Sequence, residues 1–151
     1  MEISDFSNWH SWQTRPRICY PGVYALAISS SDLSNKPFAL TKEIVYFGMT
    51  NSGGGLQSRL KQFDNTIIGK IGHGGAERFL FKYKNPKELI KNLYVSINFL
   101  ECDPKSNKPE DLFKMGEVAK FEYTCFAEYA KKFGNIPEFN DKKRSPKRKF
   151  K

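Results

Sequence analysis

The chain has 151 residues, with 25 Lys or Arg against 16 Asp or Glu, and a net charge of +9. That length suits one domain able to bury a core of its own, and 13 Phe with 7 Tyr supply large apolar area for it. The opening MEISDFSNWHSW is acidic and polar, unlike a signal peptide. No apolar run approaches the ~20 residues of a membrane span, so a cytoplasmic protein is expected, nucleoid-associated if bacterial.

Taken in chain order, residues 1–20 read as an irregular arm or short helix, carrying Trp9, His10, Trp12, Arg15 and Arg17 between prolines. The two tryptophans either stack on bases or cap the sheet, and capping is the simpler reading. A strand follows over residues 22–29, then the polar connection SSSDLSNKP, then a second strand over residues 43–49. With no helical pattern between them, the two strands are expected to pair as a long antiparallel hairpin. TNSGGG leads into a helix, LQSRLKQF. That glycine run lacks the Lys-Ser or Lys-Thr of a P-loop. Its expected task is to bring the chain closely onto the helix, with backbone amides facing a phosphate.

The stretch DNTIIGKIGHGGAERFLFKYKNP is ambiguous: AERFLFKY suits a short helix and IIGKIGHGG a loop. His73, between Gly72 and Gly74, has the setting of a flexible loop rather than a core. Arg78, Lys82 and Lys84 either track a polyanion or form a solvated face. LYVSINFLE alternates Tyr94, Ser96 and Asn98 with Val95, Ile97 and Phe99, the period of a third, half-buried strand. After a loop, residues 112–133 form the longest helix, stopped by Gly134. PEFN closes the folded part, giving a domain over residues 21–140. There is no internal repeat.

The last eleven residues, DKKRSPKRKFK, hold seven Lys or Arg against one Asp, and so carry most of the excess charge. Residues 141–151 read as a disordered basic tail, able to contact phosphates through counterion release. Cys19, Cys102 and Cys125 are odd in number and lack metal-ligand spacing, so they read as reduced thiols.

One residue breaks the pattern of the long helix. Met115, Ala119, Glu122, Phe126, Tyr129 and Phe133 are spaced 4, 3, 4, 3, 4 and share a stripe. Five are apolar or aromatic; the sixth is Glu122. A carboxylate buried without a partner is costly and takes up a proton instead. Glu122 therefore needs an arginine, a lysine or a metal ion, in either a structural ion pair or a site.

Gly22-Val23-Tyr24 followed by Tyr46-Phe47-Gly48 resembles the paired signature of the GIY-YIG nuclease superfamily. Arg59, Glu122 and Asn140 match the later arginine, glutamate and asparagine of that pattern in order, over residues 21–140. Val23 stands where the first tripeptide has Ile and Phe47 where the second has Ile or Val, both acceptable in a strand, and the gap between Gly48 and Arg59 is long. Phe63 stands one turn after the arginine, where some members have His or Tyr, and His73 comes later from a loop.

The resemblance implies an α/β (α+β) domain with a central three-stranded, mainly antiparallel sheet flanked by helices. It also implies a metal-dependent DNA endonuclease that attacks the phosphodiester with water and leaves a 5′-phosphate. Tyr24 would contact or activate the water and Tyr46 orient it. Arg59 would grip the phosphate, Glu122 would hold Mg²⁺ or Mn²⁺, and Gly22, Gly48 and Asn140 would be structural. Tyrosine is a weak base at its ordinary pKa of ~10, so help must come from metal, Arg59 or His73. The cations expected on nucleic acid are Arg59, Lys61 and Arg78, with Lys142, Lys143 and Arg144 of the tail. A binding module that does not cut, and a nuclease acting on RNA, are the alternatives. A two-fold dimer is the natural way to cut both strands, though no residue demands one.

Overall fold

The computed structural model describes residues 1–70 and 73–148. Ile71 and Gly72, inside the stretch expected as loop, and residues 149–151 of the basic tail lie outside the described residues. The described chain is mixed α/β, with a four-stranded antiparallel sheet and four α-helices. Its strands are β1 (His10–Ser11), β2 (Gly22–Ile28), β3 (Ile44–Thr50) and β4 (Leu93–Phe99), in the order β1-β4-β2-β3. The helices are α1 (Gly55–Ile67), α2 (Gly74–Lys82), α3 (Pro86–Lys91) and α4 (Pro109–Phe133).

The expected sheet of three strands is thus corrected to four. The additional strand, β1, is two residues long and pairs His10 with Val95 and Ser11 with Tyr94. So short a segment has no alternation to read. β2 and β3 form the antiparallel hairpin expected for them, with Tyr24 opposite Gly48 and Gly22 opposite Thr50. A second correction concerns β4, which is buried on both faces rather than half-buried. It runs between β1 and β2, and the arm covers its polar residues: Asn98 Nδ2 donates to the Glu2 carbonyl at 2.9 Å, and Ser96 bonds to Ser7.

Two cores lie on opposite sides of the sheet. One contains Tyr24, Leu26, Val95 and Ile97 of the strands, Leu56, Leu60 and Phe63 of α1, and Phe79 of α2. The other packs Val23, Ala25, Ala27 and Phe47 against Phe6, Trp9 and α4. Both tryptophans are buried, which removes them as exposed stacking platforms. The helices start and stop where their end chemistry directs. α4 has Pro109 in its first turn with Glu110 and Asp111, and Gly134 ends it at φ +85°. α3 follows Asn85, whose side chain accepts from the amides of Lys87 and Glu88.

Gly55, at φ +65°, shows what the glycine run does. A Cβ there would fall into the backbone of Cys19 and Tyr20. That approach lets the amides of Leu56 and Gln57 donate to the carbonyls of Tyr20 and Ile18, at 3.0 and 2.8 Å. The first turn of α1 therefore spends these amides on the arm and does not present them to a phosphate.

Residues 141–148, expected as a solvated tail, pack back onto the domain. Ser145 is buried, and Arg148 Nε donates to the buried Glu77 of α2 at 3.0 Å. The folded part continues past PEFN, because Glu77 needs this cation. No helix among the described residues is long and apolar enough to cross a membrane.

Candidate active site

The structure brings Tyr24, Tyr46 and His73 into contact, within reach of the Arg59 charge, which also acts on Glu122. Each tyrosine lies against a glycine. A Cβ on Gly48 would fall within the ring of Tyr24, and one on Gly75 would come within 2.7 Å of the Tyr46 hydroxyl. The two rings are 6.1 Å apart between centroids. Gly22 opens β2 and pairs with Thr50 on one side and Phe99 on the other.

His73 is completely buried, contrary to the flexible loop expected of it. It is the N-cap of α2: its Nδ1 accepts from the amides of Gly75 at 3.1 Å and Ala76 at 3.3 Å. Its own amide donates to Thr66 Oγ1 of α1 at 3.0 Å, and its ring meets Phe63 edge-on. Burial, followed by the charge of Arg59, pushes its pKa down to about 3, so the imidazole is neutral. With Nδ1 occupied as acceptor, the single ring proton sits on Nε2. Nε2 therefore donates to the Tyr24 hydroxyl, 2.8 Å away. A histidine in that tautomer supports Tyr24 and does not take its proton.

The tyrosines differ in access. Tyr24 has no exposed surface, and burial raises its pKa well above the ordinary value. Tyr46 is partly exposed. Its pKa is raised by burial, while Arg59 works the other way; Arg78 and the Tyr24 hydroxyl add smaller lowering effects. Tyr46 is thus the more open of the two phenols, and Tyr24 lies behind it.

Glu122 is half-buried, but not in the middle of an apolar stripe. The buried face of α4 runs through Val118, Phe121, Cys125 and Tyr129, and Ala119 is exposed. The 4, 3, 4, 3, 4 row marks the shoulder of that face, one residue round from its centre. Burial, opposed by Arg59, pushes the Glu122 carboxyl up to about 7. Among the described residues, no cation reaches it within ion-pair distance.

Arg59 projects from α1, its Nη1 donating to Gln62 at 2.8 Å. Its charge acts at once on Tyr24, Tyr46, His73 and Glu122. Arg78 of α2 acts on Tyr46 and His73. Asn140 clamps the outer strand: its Oδ1 accepts from the Phe47 amide at 2.9 Å, and its Nδ2 donates to the Phe47 carbonyl at 2.8 Å. Lys61 lies on an outer face of α1, while Lys142 and Lys143 are exposed. Arg144 turns back onto Asp141 at 2.7 Å.

Reading the sequence missed Gly75 and Thr66. The signal available for both was a histidine before a helical run, the pattern of an N-cap whose ring accepts the next amides and whose own buried amide needs an acceptor.

The donor set suits a hard divalent cation poorly as a complete cage and well as a single anchor. No group of three His, Cys, Asp or Glu gathers among the described residues. One carboxylate without a cationic partner matches Mg²⁺, which keeps several waters and takes substrate oxygens. Set against family models, curated proteins and solved structures, the chain finds no match in any of the three.

Proposed function

We propose that this protein is a nuclease of GIY-YIG type, hydrolysing phosphodiester bonds in DNA with the aid of Mg²⁺ or Mn²⁺. The observation that carries the reading is the single guanidinium of Arg59, acting on two phenols, a neutral histidine and an unpaired carboxylate together. Arginine offers a phosphate a planar fork of donors and keeps its charge at any working pH. Glu122 would hold the metal, which when bound supplies positive charge against that developing on the phosphate.

The protein's own groups do the rest. Arg59 binds a non-bridging oxygen of the scissile phosphate. Tyr46, at the mouth, orients the attacking water through its hydroxyl. Tyr24 fixes Tyr46 from behind, and His73 Nε2–H fixes Tyr24. The new bond joins the water oxygen to phosphorus and the bond to the 3′ oxygen breaks. A 5′-phosphate and a 3′-hydroxyl result, with the water's proton accounted for on the leaving oxygen.

A plasmid-nicking assay with Mg²⁺ or Mn²⁺ tests this. The parent should cut, and Arg59→Ala and Glu122→Ala should each lose roughly 10²-fold or more. One observation favours a second reading, in which the protein binds nucleic acid without cutting: burial raises the pKa of both tyrosines and His73 Nδ1 is taken by two amides, so none of the three is poised to take a proton from water. A parent that shifts DNA in a salt-dependent way but never nicks it would establish that alternative. Running the assay on RNA separates the two polymers.

A further inference from the structure

A groove of about 680 Å³ runs between the N-terminal arm and an outer face of α1, away from the two tyrosines. Its walls carry three cations, Arg15, Arg17 and Lys61, with Gln13, Gln57 and Ser58 between them. The carboxylate in the lining, Asp64, is already engaged. Its Oδ1 accepts from Trp12 Nε1 at 2.8 Å, and its Oδ2 lies 3.7 Å from Arg15. Arg15 also sits over the Trp12 ring at 4.7 Å and donates to the Trp12 carbonyl at 3.2 Å. Because Trp12 is buried, this knot fixes the arm to α1 and fixes Arg15 with it. Arg17 and Lys61 are exposed, and among the described residues no carboxylate pairs with either.

Concave walls with unpaired cations and neutral donors between them match a row of phosphates, and repel a cationic ligand. Position gives the second argument. Ser58 stands about 100° and Gln57 and Lys61 about 200° round α1 from Arg59, so a strand that leaves Arg59 reaches the groove by passing round the helix. From residue 54 to residue 64 the lining spans ~15 Å at 1.5 Å per residue, room for a few nucleotides of extended strand.

We infer that this groove binds the backbone phosphates of the nucleic-acid strand beyond the one held by Arg59. The inference rests on the nuclease reading for the identity of the strand. It makes the arm, and not the basic tail alone, the element that lengthens the contact. The donors are side chains, because the first-turn amides of α1 are taken by Ile18 and Tyr20.

The test uses the full chain, labelled with ¹⁵N and kept in EDTA so that no cleavage occurs. It is titrated with a single-stranded oligodeoxynucleotide of about 12 nucleotides. The side-chain amide signals of Gln13 and Gln57 should shift. In anisotropy measurements from about 50 to 200 mM salt, Arg17→Ala/Lys61→Ala should lower the salt slope by roughly 1 to 2. It should also weaken binding about tenfold or more at the low-salt end. Arg17→Lys/Lys61→Arg should restore the slope, which a merely misfolded variant would not do.

An unchanged slope, shifts confined to residues around Arg59 and Tyr46, or a parent that binds no oligonucleotide overturns the inference. Nicking is scored separately. A parent that binds through the groove and never nicks keeps the inference and loses the nuclease reading. One that nicks while Gln13 and Gln57 stay silent loses the inference alone.

Discussion

The two faces of the sheet are built from alternate residues of the same strands, yet they differ in kind. On the α4 face, β2 offers Val23, Ala25 and Ala27, and aromatic rings fill the space above them. Phe6 stacks on Phe38 at 4.3 Å and meets Phe121 at 5.7 Å. On the other face the same strand offers Tyr24 and Leu26, and α1 and α2 close over them with a histidine inside. The first face needs only volume. The second must also satisfy each polar group, through Nε2 to Tyr24, two amides to Nδ1, and Thr66 to the His73 backbone. A buried polar chain of that sort fixes a single arrangement, because every partial arrangement leaves a donor or acceptor unpaired.

The comparison breaks most sharply with one phenylalanine from each face. Phe121→Ala and Phe79→Ala each vacate a buried ring and should each lose about 3–5 kcal/mol in urea unfolding. Of the two, Phe79 packs against Tyr46, 6.0 Å away between centroids, and against Phe63 at 5.1 Å, the ring that meets His73. Phe79→Ala should therefore bring the Tyr46 ionisation down toward that of free tyrosine in an ultraviolet titration, and Phe121→Ala should not. Equal movement in both variants would mean that the faces are one cooperative unit. Gly48→Ala comes next. Its methyl enters the Tyr24 ring, whose hydroxyl is tied to His73 and has nowhere to go, so a loss of about 1–3 kcal/mol is expected.

A smaller effect separates the two titrating groups by sign. Glu122 is raised from 4.5 to about 7, chiefly by burial, so its stabilising proton is fully held below pH 4.5 and is lost as pH rises through about 7. His73 is lowered from 6.5 to about 3, so its contribution is present above pH 6.5 and is lost as pH falls toward 3. Between pH 4.5 and 6.5 the two slopes oppose each other, and the parent should be nearly flat. Glu122→Gln removes one slope. It should then weaken steadily on acidification below pH 6.5, and exceed the parent at pH 8 by roughly 1–2 kcal/mol, discounted for the partial exposure of Glu122. Mg²⁺ at pH 8 should stabilise the parent and leave Glu122→Gln unmoved. A parent with a steep slope across the middle of that range would refute the opposed pair.

What could be read beforehand follows the same division. β2, β3 and α4 announce themselves because alternation, apolar periodicity and Gly134 act locally. The two-residue β1 and the double burial of β4 depend on where the arm lies, which no local pattern encodes. Glu122 was legible as an oddity, but its row was one residue off the true centre: Val118 and Cys125 hold that centre, and Ala119 fits either side. His73 looked loose because glycines flank it. Gly75, two residues on, instead lets Tyr46 lie close against it and gives its amide, with that of Ala76, to the His73 ring. Asn85-Pro86 was a plain start signal for α3, hidden in a charged stretch too short to show a period.

The smallest expected effect lies at the far side of α4. Gly116 sits inside that helix, exposed, with nothing within 4 Å of where a Cβ would stand. Glycine inside a helix loses more backbone entropy than alanine, so Gly116→Ala should stabilise the isolated chain by about 0.5–1 kcal/mol. Leu112, Phe113 and Tyr123 are exposed on the same helix, Phe113 to 76 %. Urea unfolding of Gly116→Ala, read beside sedimentation, asks whether that side is open in solution. A gain with unchanged mass fits a face turned to water. A loss, or a shift to lower mass, would mean that another copy of the chain needs the missing methyl's space, and the contrast between an apolar face that only fills volume and one that must also satisfy its polar groups would have to be redrawn.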